Sequence, residues 1–221
     1  MRANHHGSDV VHPPGKLTER SATQRRDRTR PERQRQPDQT RRALIEAAAK
    51  IFNSAGYHGT DSNRIAREAG YAPGTFYIHF PDKLAIFLEV YEKWVSAEWS
   101  SIEVILKSGA SARAIRTRLS RAILEHHRKW RTFRASLRAL SATDDSVHAA
   151  RLASRDRQLD TMTRLIRARR TPVPSRARML AQLLIAEALC ESVADGDAKS
   201  LGIREEEIIR LLDESSRDLL S

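Results

Sequence analysis

The sequence has little cysteine and no long apolar run, and both shortages narrow the class of protein. Its one cysteine, Cys190, forms no internal disulfide, which is typical of a reducing cytoplasm. No apolar run approaches the roughly 20 residues that a membrane-spanning helix requires, so no membrane partner is expected. The polar, basic N-terminus shows no apolar segment of a secretory signal. These features predict a soluble cytoplasmic protein.

The motifs of the common enzyme classes are missing as well. The sequence contains no glycine-rich phosphate loop, no nucleophile elbow and no metal-ligand spacing. The adjacent His126 and His127 would face about 100° apart on a helix, so they do not form a metal site by themselves. We therefore expect no enzyme activity, no metal and no cofactor.

The positive charge is distributed unevenly along the chain. The net charge is +11, which suggests a polyanionic partner. Residues 1–37 carry +5, residues 38–83 only +1, and residues 84–221 carry +5. The basic segment 1–37 has almost no apolar periodicity and is predicted to be a disordered tail. It is either a solvated terminus or a basic arm that contacts DNA.

Apolar residues recur at helical spacing from about residue 39 onward, with glycine and proline at the breaks. No strand pattern or internal repeat is present, so the fold class is all-α. Thr60 is predicted to cap the second helix, with Asp61 in its first turn. The predicted helices cover about 39–55, 61–69, 73–80, 83–107, 111–127, 130–142, 145–170, 174–194 and 203–219.

Two short helices around a glycine-containing turn, in residues 60–83, predict a helix-turn-helix that places its second helix in the major groove of DNA. Phe76 and Phe80 are four residues apart and are predicted to anchor the second helix in a core with Ile51 and Phe52. The alternative is a plain helical hairpin in a bundle.

Residues 40–90 resemble the N-terminal domain of the TetR/AcrR family of bacterial regulators. The resemblance is carried in register by Gly56-Tyr57, Gly59-Thr60, Ile65-Ala66, Ala69-Gly70, Gly74-Thr75-Phe76-Tyr77, Phe80 and Lys83. It implies an N-terminal three-helix DNA-binding domain (38–83) followed by a helical ligand-binding and dimerisation domain (84–221). Two residues depart from the family pattern: Ala72 replaces a Ser or Thr cap, and Tyr71 replaces a smaller apolar residue.

The same resemblance implies roles for individual residues. Thr60 and Asp61 would meet phosphate, Pro73, Gly74, Thr75 and Ile78 would lie near base edges, and Tyr77, His79 and Lys83 would hold phosphates. Hydroxyl, imidazole and ammonium groups suit such contacts. Glycine at position 74 would let the backbone approach the groove closely.

The C-terminal half is predicted to bind an effector and a second copy of the chain. The effector is a small molecule of unknown identity, and its candidate contacts are Trp94, Trp130, Phe133, Arg134, Leu137 and Met162, all of which also suit a plain core. The candidate dimer contacts are Leu180, Leu183, Leu184, Ile208 and Leu212, for which an intramolecular core is the alternative.

Charge in this half also has two interpretations. Residues 113–138 carry +8 and residues 187–221 carry −6. These segments either pair with each other or provide Arg131, Arg134 or Arg138 for an anionic effector.

The sequence as a whole predicts a ligand-responsive repressor that binds a palindromic operator in double-stranded DNA as a homodimer. The alternative is a DNA-associating factor without an effector, which uses the basic tail for non-specific affinity.

Overall fold

The computed structural model describes residues 30–169 and 171–217, with side chains from residue 37 onward. Chain contacts divide the protein into two units, residues 1–40 and 41–221. In the first unit only helical residues 30–40 are described, so the predicted disorder of residues 1–29 lies outside the described part. All packing below concerns the second unit.

The described residues form helices and connecting turns without a strand, which confirms the all-α prediction. Within these residues no helix is both long and apolar enough to cross a membrane. The helices are α1 (Arg30–Ala55), α2 (Ser62–Glu68), α3 (Pro73–His79), α4 (Lys83–Leu106), α5 (Ala112–Lys129), α6 (Arg131–Ser141), α7 (Asp145–Ala168), α8 (Arg176–Asp195), α9 (Asp197–Ser200) and α10 (Glu205–Ser215).

Three local predictions need correction. Helix α1 begins at Arg30 rather than near residue 39, so residues 30–37 are not the end of an unstructured tail. Glu, Arg and Gln favour helices, and Pro31 lies in the first turn, where a missing N–H costs nothing. Asp61, not Thr60, caps α2: its carboxylate accepts from the Arg64 amide at 2.7 Å. The short helix α9 was not predicted.

The helix ends at Gly56 and Gly70 follow the expected chemistry. Both glycines adopt positive φ, +73° and +81°, a left-handed conformation that side chains other than glycine resist. Asp82 caps α4 through the Ala85 amide at 2.8 Å. Ala72 offers α3 no side-chain cap, as its apolar side chain implies, and Pro73 occupies the first helical position.

The apolar core has three clusters, and the first holds the helix-turn-helix. This cluster joins α1–α4 to α6 and includes Ile51, Phe52, Phe76 and Phe80, which confirms the predicted anchoring of α3. A second cluster joins α5, α7 and α8 around Ile115, Leu159, Ile166 and Met179. The third joins α5, α8, α9 and α10.

Cys190 lies fully buried in the third cluster. Burial raises the pKa of its thiol to about 12, so the reactive thiolate does not form at neutral pH.

Candidate DNA-binding surface and ligand cavity

Helix α3 has one buried side and one exposed side. Phe76 is fully buried, whereas Tyr77 and Ile78 are 58% and 79% exposed. Pro73 and Gly74 are also exposed, and Thr75 and His79 are half-buried. Among the described residues these large side chains bury less than half of their surface, so this side is open to another molecule.

The backbone turn before α3 is held by local hydrogen bonds. The amide of Tyr71 donates to the carbonyl of Ala66 at 2.9 Å, and the amide of Gly70 donates to Arg67 at 3.0 Å. A Cβ built on Gly74 would meet no atom within 4 Å, so Gly74 is not required by packing inside the chain. Close approach of another molecule is the remaining reason for a glycine at position 74.

Lys83 makes contacts that the sequence did not predict. Its ammonium donates to the carbonyls of Tyr57 and Thr60 at 2.9 and 2.8 Å, and it lies 4.1 Å from the centre of the Tyr57 ring. Burial lowers the pKa of Lys83, against the opposing effect of Asp61. Two of the three N–H donors therefore hold the loop between α1 and α2 against the start of α4.

Thr60 and Asp61 also have mainly structural contacts. Thr60 is buried, and its carbonyl is one of the two Lys83 acceptors. The exposed Asp61 uses its carboxylate as the α2 cap. The residues predicted to bind DNA thus form two groups. One group lies on α3 and includes its exposed side chains. The other group, Thr60, Asp61 and Lys83, holds the loop between α1 and α2 in place.

The loop also reaches α6. The amide of Tyr57 donates to Ser136 Oγ at 3.0 Å. Beside this contact, Asn53 Nδ2 on α1 donates to the carbonyl of Lys129, the last residue of α5, at 2.5 Å. A Cβ on Gly56 would lie 3.1 Å from Ser136 Oγ, so glycine is also required there for close approach. Tyr57 was not predicted as a site residue. Tyr57 contacts α6 through its backbone amide and α4 through Lys83.

A cavity of about 160 Å³ lies among α4–α8 and α10. Four of the six predicted ligand contacts line it: Trp94, Arg134, Leu137 and Met162. Trp130 and Phe133 do not line it, which corrects that prediction. Phe133 is fully buried and stacks on Phe87 at 4.7 Å, and Trp130 packs edge-on against Phe133.

The cavity has a charged end beside α6 and an apolar end away from it. At the charged end Arg134 pairs with Glu191 at 2.7 Å, and Arg155 pairs with Glu187 at 2.7 Å. At the other end most of the apolar lining residues belong to or pack on the second core cluster. Arg169 also lines the cavity, and its guanidinium donates to the Leu106 carbonyl at 3.4 Å. The apolar lining there consists of Ile102, Leu106, Leu119, Met162, Ile166 and Leu183.

The arginines proposed for an anionic effector already have carboxylate partners. Arg134 contacts Glu191, and Arg138 contacts Glu191 at 2.7 Å and Asp195 at 3.4 Å. Arg131 lies 4.0 Å from Asp195. Burial raises the pKa of Glu191, but the guanidinium groups of Arg134 and Arg138 outweigh it and hold this pKa below its usual value. The opposite charges of residues 113–138 and 187–221 therefore pair within the chain.

Glu98 was not among the predicted site residues, although the sequence contains a signal for it. It lies on α4 one turn after Trp94 and one turn before Ile102, so it interrupts an apolar face. The structure places it at the cavity, where burial raises the pKa of its carboxyl to about 7. Burial also lowers the pKa of His126 to about 4 and of His127 to about 2, so both imidazoles are neutral at pH 7.

Comparison with known proteins agrees with this architecture. The family described as bacterial regulatory proteins, tetR family, matches residues 44–90. The match covers the N-terminal part of the chain, which includes the helix-turn-helix. The predicted family resemblance is confirmed.

Two relatives from Bacillus subtilis match through the same N-terminal region. The uncharacterized HTH-type transcriptional regulator YuxN is 37% identical over 87 residues, which are 38% of this chain and 30% of YuxN. The fatty acid metabolism regulator protein is 30% identical over 70 residues, 32% of this chain and 36% of that protein. The chain thus spans well under half the length of these two relatives.

The likeness extends further in structure than in sequence. A TetR-family transcriptional regulator from Streptomyces coelicolor has a TM-score of 0.64 and 22% identity, covering 83% of this chain and 97% of that one. This likeness shows a shared fold. The matched proteins are named as regulators rather than as enzymes, in line with the sequence prediction.

Proposed function

We propose that the protein is a transcription regulator that binds an operator in double-stranded DNA as a homodimer, with α3 in the major groove. The observation that carries the proposal is the two-sided α3, which is buried at Phe76 and exposed at Tyr77 and Ile78. An exposed phenol and a short apolar side chain suit phosphate and thymine-methyl contacts respectively. The open space at Gly74 suits close approach to DNA.

The second part of the proposal is the homodimer. Helix α8 buries Met179 and Cys190 within the chain and exposes an apolar stripe on its other side. Leu184 and Ile185 in this stripe are 51% and 44% exposed. The remaining members of the stripe are Ala177, Ala181 and Ala188. An apolar stripe on a soluble helix favours contact with a partner helix.

Burial within the chain argues against most of the predicted dimer contacts. Ile208 and Leu212 are only 3% and 4% exposed and belong to the third core cluster. Leu180 and Leu183 are half-buried against the second cluster. Of the five predicted residues, Leu184 alone is among the exposed apolar side chains, because α10 uses its apolar face inside the chain.

The third part is regulation by a small molecule in the cavity. Helix α6 carries Arg134 and Leu137 to the cavity and Ser136 to the amide of Tyr57. A ligand that moves α6 would change the position of the α1–α2 loop and bias the two DNA-binding domains between two spacings. Repression is the simplest outcome, because a bound dimer blocks access to the operator.

Footprinting on fragments selected from the host genome tests the proposal. We expect a discrete protected palindrome with two half-sites about one helical turn apart. The Tyr77→Ala variant should lose protection, while Val104→Ala, a change of an exposed apolar residue on α4, should keep it. Uniform and steeply salt-dependent coverage would instead support the DNA-associating factor without an effector.

A further inference from the structure

The charge pairing between α5 and the C-terminal helices is incomplete. Toward α10, Arg116 pairs with Asp213 at 3.1 Å, and Arg128 pairs with Glu205. Three further arginines of α5 are exposed: Arg113, Arg118 and Arg121. Among the residues that the structure describes, no carboxylate lies within ion-pair distance of any of the three. These three arginines are called the basic patch below.

The basic patch is one continuous surface. Its three side chains line a single shallow depression together with Ser111, Ala114 and Thr117, and no carboxylate belongs to this lining. At a rise of about 1.5 Å per residue, Arg113 and Arg121 are about 12 Å apart along the helix axis. Guanidinium groups around one depression repel each other unless an anion lies between them.

The surrounding sequence provides no counter-charge. Between Glu103 and Glu125 the chain has five Lys or Arg residues and no Asp or Glu. Arg113 also lies in the first turn of α5, where the helix dipole adds positive potential. The surface potential at the basic patch is therefore positive.

The chemistry of α5 indicates which polyanion fits the basic patch. Guanidinium groups bind phosphate oxygens through paired hydrogen bonds. Helix α5 contains no Phe, Trp or Tyr, and none of its large apolar side chains is exposed. It therefore offers no stacking surface for single-stranded nucleic acid, no apolar anchor for a protein and no apolar side for a membrane. The backbone of duplex DNA requires none of these, because its phosphates alone supply affinity.

The basic patch lies away from the helix-turn-helix. Helix α5 ends beside α1, where Asn53 bonds to the Lys129 carbonyl, and the patch begins about 12 Å further along α5. Ile115 and Leu119 of α5 pack in or on the second core cluster, whereas α3 packs in the first. A duplex on the patch is therefore a different DNA segment from a duplex on α3.

We propose that the basic patch binds the phosphate backbone of a second duplex without sequence preference, so that the protein bridges two DNA segments. Three guanidinium groups within about 12 Å suit a polymer that carries one negative charge about every 1.7 Å of its axis. Such a contact raises the local concentration of DNA around the helix-turn-helix. The proposal goes beyond operator binding, because α3 takes no part in the contact.

Capture of one duplex by another tests the bridge. The full chain is loaded on beads that carry a duplex of about 40 base pairs, and a dye-labelled duplex of unrelated sequence is added at about 50 mM salt. We expect the native chain to capture the labelled duplex. The combined change Arg113→Gln, Arg118→Gln and Arg121→Gln should reduce this capture at least tenfold. The glutamine variant should stay on the beads, because α3 is unchanged.

Two further triple variants separate the basic patch from net charge. The first removes the same number of charges from exposed positions of α7 through Arg157→Gln, Arg164→Gln and Arg167→Gln, and it should retain capture. The second places lysine at all three patch positions, which keeps the charge and should retain most of the capture. All six positions are exposed, and thermal unfolding of each variant checks that the fold is intact.

Several outcomes would overturn the proposal. Capture that survives the glutamine change would mean that another surface, such as the second helix-turn-helix of a dimer, holds the labelled duplex. Absence of capture by the native chain would overturn it as well. Loss of capture when inorganic phosphate replaces chloride at equal ionic strength would assign the patch to a small anion. Preference for labelled polyglutamate over the duplex would assign it to an acidic protein.

This experiment is separate from the footprinting test. A chain without a discrete footprint whose capture of DNA depends on the basic patch would contradict the operator proposal and support this assignment. A chain with a discrete footprint and no capture would do the reverse.

Discussion

The backbone amide of Tyr57 donates a hydrogen bond to Ser136 Oγ at 3.0 Å, across 79 residues of sequence. This bond joins the loop after α1 to α6, the helix that also brings Arg134 to the cavity. It therefore links the loop before the helix-turn-helix to a helix that lines the cavity.

Ser136→Ala should lower the free energy of unfolding by about 1 kcal/mol, because the half-buried Tyr57 amide loses its acceptor. Chemical denaturation measures the change. Ser101→Ala removes a hydroxyl that bonds only within its own helix and should have a smaller effect. Equal effects of the two changes would mean that the contact between loop and α6 adds no stability.

Gly74→Ala should separate folding from DNA binding. The new methyl group meets open space, and alanine favours a helix over glycine by about 1 kcal/mol, so stability should stay equal or rise. Operator affinity should fall, because the methyl group would stand between α3 and the groove. Thermal unfolding and a gel-shift titration on the same samples measure the two quantities. Unchanged affinity would show that DNA does not approach Gly74 closely.

Lys83→Ala should reduce stability by about 1–3 kcal/mol, because the carbonyls of Tyr57 and Thr60 both lose a charged donor. The effect of Lys83→Ala on DNA affinity is measured separately from its effect on stability. If the third N–H contacts a phosphate, the slope of log K against log salt concentration should become shallower by about 1. A weaker affinity with an unchanged slope would assign Lys83 a purely structural role.

Glu98→Gln should stabilise the protein only above acidic pH. The pKa of Glu98 is raised from 4.5 to about 7, so the folded state disfavours its ionised form and the native chain loses stability as pH rises between these values. The variant should therefore match the native chain at about pH 4.5 and exceed it by up to about 3 kcal/mol at about pH 8.

The comparison with the native chain at each pH is essential, because His126 and His127 act in the opposite direction. Their pKa values are lowered by burial, so their neutral forms stabilise the fold above pH 6.5 and that contribution is lost as pH falls. Their effect cancels in the difference between the two proteins. A difference that is constant from about pH 4.5 to about pH 8 would contradict the burial of an ionisable Glu98.

Leu184→Glu should convert the proposed dimer to a monomer, because it places a charge in the apolar stripe of α8. Leu201→Glu introduces the same charge at another exposed leucine outside this stripe and should leave the dimer intact. Sedimentation at several concentrations measures the mass. Unchanged mass in Leu184→Glu would place the interface elsewhere.

Periodicity and glycine positions were sufficient to predict the helices of the second unit other than α9, because both are local properties. They also predicted the anchoring of α3 by Phe76 and Phe80. The roles of Lys83, Phe133 and Ile208 could not be predicted in this way. Each depends on which distant helix covers the residue, and a long apolar or cationic side chain suits an interior contact as well as an external one. Glu98 was detectable as a break in an apolar face, but its lack of a partner emerged only with the fold.

The burial of Cys190 has a practical consequence for measuring motion. Since the only natural thiol is enclosed and protonated, a cysteine introduced at the exposed Ile78 would be the one site that reacts with a thiol-directed spin label or dye. In the proposed dimer, the two labels would report the separation of the two α3 helices directly, before and after a candidate effector is added.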